Sequence, residues 1–166
     1  MRTSIPSGAV WLLLALPFAS FAEVSAQTAP APPPPAPAPG AAGIFRSHAD
    51  LEAAMARSIA AGGAMSSASV TLTDQYRAAM VRRTEPNGAI AHPGNTEMHY
   101  IVEGSGTVVT GGRVVRREGV PATIEGGEAH RVTKGDIIII PAGSAHMYSE
   151  VVEPITYLEF RFVAPQ

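Results

Sequence analysis

Two stretches of this chain carry residue types that could do chemistry together. The first reads His92-Pro93-Gly94-Asn95-Thr96-Glu97-Met98-His99-Tyr100-Ile101-Val102-Glu103-Gly104-Ser105-Gly106. Past Glu97 it has the texture of a strand, and alternation puts Glu97, His99 and Ile101 on one face, with Met98, Tyr100 and Val102 on the other. A carboxylate and an imidazole leaving one strand on the same side, with His92 arriving from just before a Pro-Gly loop, suit a metal held by nitrogen and oxygen ligands. The second stretch runs from Gly135 through Asp136 and four isoleucines to Pro141-Ala142-Gly143-Ser144-Ala145-His146-Met147-Tyr148. Its isoleucine run suits a strand buried on both sides, and the Pro-x-Gly turn presents His146 at the start of the next strand. Tyr148, two residues on, shares the face of His146 and could line the same cavity.

These are the scarce groups of the chain. There is no cysteine among the 166 residues, which excludes a disulfide framework, thiol nucleophiles and thiolate metal sites. Of the five histidines, His48 stands at the start of a helix-like stretch as a solvent-facing neighbour of its cap, and His130 reads as structural. The formal charge of −2 and the lack of a long basic run exclude the electrostatic footprint of a nucleic-acid binder. The plain alternative for His92 and His146 is a pair of hydrogen-bonded core histidines, and for His99 a donor to a neighbouring carboxylate.

The elements that must position these groups are short apolar or alternating runs at 75–83, 97–102, 107–110, 113–116, 129–133, 136–140 and 155–162, all predicted strands. They are separated by turn residues at 86–88, 104–106, 111–112, 126–127 and 134–135. Many short strands at regular spacing predict an all-β fold at 70–166, either a sandwich or a single small antiparallel β-barrel. Ser47 and Asp50 shape a capping box, and Leu51, Met55 and Ile59 recur until Gly62-Gly63, so residues 44–69 are assigned one short amphipathic helix and its connection. Residues 27–43 are almost entirely Ala and Pro and form a tether. Residues 1–26 read as a signal peptide: Arg2 precedes an apolar run with Trp11, Leu12, Leu13, Leu14, Leu16 and Phe18, and Val24-Ser25-Ala26 supplies the small residues for cleavage after Ala26. The expected product is periplasmic or secreted, with no membrane association once the signal is removed.

Together the two stretches resemble the paired signature motifs of the cupin superfamily, over roughly residues 76–162. The second motif, Gly, five residues, Pro-x-Gly, two residues and His, is matched without a gap from Gly135 to His146. In the first, His92 aligns with the second histidine, Glu97 with the glutamate and Gly104 with the glycine, whereas Ile90 stands where the family carries its first histidine. The resemblance implies a jelly-roll barrel and one divalent metal ion (Fe, Mn, Zn or Ni) held by His92, Glu97 and His146. Either that site is a two-histidine, one-carboxylate arrangement with open positions, or His99 supplies a fourth ligand. Glu150, where the family motif often ends in Asn, reads as a surface residue. Family activities imply a metal-dependent dioxygenase, isomerase or lyase acting on a small organic molecule, with His99 or Tyr148 as possible substrate contacts. The alternatives are a non-catalytic ligand-binding module and, less compatible with the pairing of His92 and Glu97, a structural or storage barrel. A homodimer is a further expectation from the resemblance.

Overall fold

The computed structural model describes residues 35, 36, 40 and 42–163. The expected signal peptide at 1–26 and most of the tether at 27–43 lie outside the described residues.

Helix α1 (His48–Ala60) starts where its cap dictates. Ser47 has extended backbone angles, its Oγ accepts from the Asp50 amide at 3.1 Å, and its hydroxyl donates to Asp50 Oδ2 at 2.7 Å. No residue of α1 is fully buried. Leu51, Met55 and Ile59 instead share a groove with Met80 and Val102, so the apolar stripe rests on the outside of the sheet.

Eight strands follow: β1 (Met65–Leu72), β2 (Tyr76–Arg83), β3 (Asn95–Thr110), β4 (Arg113–Arg117), β5 (Val120–Glu125), β6 (Glu128–Thr133), β7 (Ile137–Ile140) and β8 (His146–Val163). All pairings are antiparallel, in the order β1-β2-β8-β3-β6, with β7 also on β3 and with β4-β5 a separate ribbon. The architecture is the expected all-β one, with a single helix among the described residues. Among the described residues its ladder does not close into a continuous ring. Enclosure comes instead from β3 and β8, which run side by side from Asn95↔Val163 to Thr110↔His146 and carry both halves of the fold.

That long pair holds its shape through an irregularity. On β3 the buried residues are Glu97, His99 and Ile101, then Gly106 and Val108; on β8 His146 and Tyr148, then Ile155, Tyr157 and Glu159 face inward, and Thr156 is also buried, donating to Glu103. In each strand the inward set changes from odd to even numbers, or the reverse, in the middle. A straight strand cannot do this, because its faces alternate with period two. Register shifts between Ile101 and Val108 absorb the extra residues and return both inner faces to the same core. The core comprises Ala79, Val81, Ile101, Val108, Val132, Tyr148, Ile155 and Tyr157.

Several boundaries differ from the sequence reading. Gly104-Ser105-Gly106, expected as a turn between two strands, is this mid-strand irregularity within β3. The first strand begins at Met65, inside the stretch assigned to the helix connection: its small residues hide an alternation in which Ser66 and Ala68 are buried. β5 was not anticipated, because Pro121 breaks a strand-like run; the two-stranded ribbon it joins leaves an edge that tolerates proline. The isoleucine run is not buried on both sides: Ile140 is 1% exposed, but Ile137 and Ile139 are 61% and 58% exposed. In β7 only Ile138 and Ile140 face the interior. The outer residues lie opposite Tyr100 and Met98, on an outer face shared with Leu158, Phe160 and Met80.

Gly104 combines φ +83° with a Cβ position that would press into the Pro154 carbonyl. Gly104→Ala is expected to cost about 2 kcal/mol or more of stability, from left-handed strain plus backbone overlap. Gly94→Ala, whose Cβ meets nothing within 4 Å and whose φ is not positive, should change stability by less than about 0.5 kcal/mol. Urea-unfolding midpoints of the two variants check the contrast.

Candidate metal centre

Each expected ligand is placed by backbone as well as by strand pattern. The loop carrying His92 is tied down through its own carbonyl, which accepts from the amides of Asn95 at 3.1 Å and Gly143 at 3.0 Å. That second bond joins the Pro-Gly loop before β3 to the Pro141-x-Gly143 turn before β8, so the two motifs meet through main chain. At the start of β8, His146 forms an isolated bridge with Ile90, each amide donating to the other's carbonyl at 2.9 and 3.0 Å. Ile90 thus lies beside His146 and contributes backbone, while offering no side-chain ligand.

His92, Glu97 and His146 come together as the sequence motifs anticipate, each offering one donor atom within 4.8 Å of the others. Their arrangement is unfinished as it stands. His92 Nε2 lies 3.3 Å from Glu97 Oε1, yet the geometry does not make a hydrogen bond, and both buried atoms are left without a partner. An unpaired buried lone pair is costly in a native fold. His146 Nδ1 lies 3.2 Å from the Ser144 carbonyl, which can only accept, so Nδ1 carries the proton and Nε2 keeps its lone pair, 3.7 Å from Glu97 Oε2. Two orphaned atoms and one imidazole fixed in the ligating tautomer, drawn from nitrogen and carboxylate donors, fit a divalent ion.

His99 takes a different place. It is 2% exposed, with Nε2 3.3 Å from Glu97 Oε2 and Nδ1 3.2 Å from the Tyr148 hydroxyl. With Nε2–H donating to the carboxylate, Nδ1 accepts from Tyr148, so one ring nitrogen orients Glu97 and the other is held by Tyr148. Tyr148, also 2% exposed, lies behind His99, stacked with the rings of His99 and Tyr157 and with the Arg83 guanidinium 5.7 Å from its ring centre. His48 and His130 are exposed beside Glu52 and Glu128, and Glu150 is exposed beside Arg131.

Three site residues escaped the sequence reading. Glu159, Arg161 and Arg77 complete the inner face next to the candidate ligands: Glu159 is 3% exposed, 3.8 Å from His99 Nε2, and is held by Arg77 at 3.0 Å and Arg161 at 3.2 Å. Arg161 Nε also approaches Glu97 Oε2 at 3.4 Å. Alternation in Tyr157-Leu158-Glu159-Phe160-Arg161-Phe162 was a usable signal, but it pointed the wrong way, since hydrophobicity alone would turn Leu158, Phe160 and Phe162 inward. The second potential donor group, Glu97, His99 and Glu159, overlaps the first at Glu97.

Burial pushes His92 below the ordinary imidazole value, with the charge of Arg161 adding to the effect. Burial likewise lowers His146, against the smaller opposite pulls of the Ser144 carbonyl and Glu97. For Glu97, burial would raise the carboxyl, but the His99 hydrogen bond and the charges of Arg161, His146 and His92 together outweigh it and leave it below its ordinary value. Burial raises Tyr157 to about 12 and Tyr148 higher still, so both phenols stay protonated at neutral pH.

The sign of the resulting pH dependence is the same for His92, His146 and Glu97. Each is harder to protonate in the folded than in the unfolded chain, so the unfolded chain takes up protons first as pH falls. Their contribution to the stability of the metal-free protein is complete above the ordinary imidazole value of 6.5; the histidine part is lost as pH falls below it, and the Glu97 part below 4.5. Urea unfolding of metal-free protein should show stability falling between pH 7.5 and 5, with a shallower fall in His92→Gln/His146→Gln. An equal slope in that variant would contradict the assignment.

A family model described as Cupin matches residues 55–154. No curated protein matches the chain. Among solved structures, the chain is similar to one described as a predicted oxalate decarboxylase from Thermotoga maritima, at 16% identity and a TM-score of 0.46, covering 60% of this chain and 81% of that one. An RmlC-like cupin from Shewanella frigidimarina gives 16% identity and a TM-score of 0.46, over 63% and 81% of the two chains. KdgF from a Halomonas species gives 15% and 0.45, over 63% and 84%. With the family model spanning more than half of the sequence, including both motifs that build the site, this chain belongs to the cupin family.

Proposed function

We propose that the protein is an exported cupin that holds one divalent metal ion through His92, Glu97 and His146 and acts on a small organic molecule as a metal-dependent enzyme of dioxygenase, isomerase or lyase type. The observation that carries this reading is the pair of buried, unpartnered atoms His92 Nε2 and Glu97 Oε1 beside an imidazole whose Nε2 is held free of protons by the Ser144 carbonyl. A bound ion of this kind polarises an oxygen of the substrate, lowers the pKa of bound water or binds dioxygen. His99 fixes the Glu97 carboxylate, and Tyr148 fixes His99, so the ligand geometry is set before any substrate arrives. His92, with its side chain 28% exposed, gives the site its solvent side, and Ile90 leaves vacant the place of a further histidine.

Export belongs to the same proposal and rests on the leader-like residues 1–26. So does the homodimer, whose support is the exposed apolar group of Ile137, Ile139 and Tyr100. No helix among the described residues is long and apolar enough to cross a membrane.

Elemental analysis of protein expressed with its leader is the test. The expected result is about one equivalent of iron, manganese, zinc or nickel, lost in a His92→Ala/His146→Ala variant that keeps its circular dichroism. Parent protein that takes up none of these ions on reconstitution would end the metal reading. The exported form should begin at Gln27 on N-terminal sequencing and sediment as a dimer; an unprocessed chain or a monomer would remove the corresponding part.

A further inference from the structure

The charged groups around the candidate ligands balance without a metal. Glu97 and Glu159 supply two negative charges and Arg77 and Arg161 two positive ones, all within one ion-paired cluster in which Arg161 Nε lies 3.4 Å from Glu97 and 3.2 Å from Glu159. Counting the three imidazoles as neutral, a divalent ion bound at His92, Glu97 and His146 raises the cluster to a net charge of about +2 in a largely buried setting, where uncompensated charge is expensive. An anion arriving with the substrate removes that excess.

The two arginines are also placed to meet it. Both line a cavity of about 290 Å³ at the end of β2, β3 and β8, together with Leu72, Thr73, Tyr76, Asn95 and Val163. Asp74, the one acid on this wall, has Oδ1 taken by the Ala36 amide at 2.9 Å. Arg161 therefore joins cavity to metal cluster: part of its guanidinium holds Glu159 through Nη2, its buried Nε has no aligned hydrogen-bond acceptor, and no described residue accepts from its Nη1. Arg77 Nη2 lies 3.0 Å from Glu159 Oε1 as an ion pair without an aligned hydrogen bond, which leaves Oε1 unpartnered. Two guanidiniums with donors to spare present a flat, forked surface that matches a planar carboxylate. The cavity wall has no helix N-terminus, the usual supplement of a phosphate site.

We infer that the small molecule taken by this site is a carboxylate, held beside the metal by Arg161 and Arg77. This rests on the metal centre proposed above and names the class of its substrate. Arg161 and Arg77 are the substrate-binding groups; Glu159 is a positioning residue that keeps their remaining donors turned towards the cavity.

The experiment uses the mature chain with its metal content measured before and after titration. Calorimetric titration of zinc- or manganese-loaded protein with acetate and malonate is compared with acetamide, malonamide and inorganic phosphate. The expected result is carboxylate binding at least tenfold tighter than amide binding, weaker by at least tenfold in metal-free protein and in Arg161→Gln with its metal retained. Because Arg161→Gln strands Glu159, Arg161→Gln/Glu159→Gln, which removes both charges of that pair, and Arg77→Gln serve as second variants; each should bind malonate more weakly while still taking up metal. Equal affinity for amides and carboxylates, tighter binding of phosphate than of either carboxylate, or unchanged malonate binding in the folded variants would overturn the inference while leaving the metal centre standing. A parent protein that takes up no metal would overturn the metal centre itself, and the substrate class with it, by a readout separate from the titrations.

Discussion

The antiparallel ladder between β3 and β8 sets Glu97 opposite Arg161, His99 opposite Glu159 and Ile101 opposite Tyr157. Directly opposed residues on one face of such a pair are close enough to interact, so three consecutive inward rows become two acid–base contacts and an apolar floor. The same ladder, followed to its other end, brings His146 into line with Thr110 and turns its ring towards Glu97. The site therefore depends on a single register, and that register depends on the irregularity around Gly104 and Gly106. At both glycines a side chain would collide with the backbone of β8. Straightening the pair there would move His146 and Tyr148, or Glu97 and His99, to the outer face.

A cluster of buried charge is compatible with this register because its members neutralise one another. Glu97 and Glu159 are almost fully buried, and each is met by at least one guanidinium. An isolated buried carboxylate is costly to the fold; paired, the network is roughly neutral in its effect on stability and valuable for defining one arrangement. His99 and the two tyrosines extend the network into the core. The His99 ring lies 4.4 Å from that of Tyr157, whose hydroxyl accepts from Arg83 Nε at 3.0 Å. A rigid, proton-holding backing of this sort keeps Glu97 in one orientation, which a ligand carboxylate requires.

The outer face obeys a different constraint. Met80, Leu158, Phe160, Met98, Tyr100, Ile137 and Ile139 occupy it across β2, β8, β3 and β7, while α1 rests towards β1. The sheet is thus apolar outside and charged within at this end, the reverse of the usual arrangement for an antiparallel sheet with one solvated face. That reversal is why hydrophobic alternation alone would turn the wrong face of β8 inward: the rule weighs transfer from water, whereas here ion pairing and hydrogen bonding decide which residues are inside.

Much of the chemistry was legible in the linear chain. His92, Glu97 and His146 are identified by fixed spacings around Pro-Gly turns, and the common face of Glu97 and His99 follows from the pleat, because these are local relations set by backbone geometry over a few residues. Helix α1 and its cap are local in the same sense. Glu159, Arg161 and Arg77 were not legible, since their meaning comes from partners some 60 to 85 residues away in sequence, brought alongside by cross-strand pairing. The role of His99 was open for the same reason: its face was determined by the sequence, but its engagement by Glu97 on one nitrogen and Tyr148 on the other required β8 to lie beside β3. Sequence determined which side chains could bind a metal; only the tertiary structure decided which of them face an orphaned lone pair and which are already held, because long-range register, and not local pattern, sets the partners of a buried polar atom.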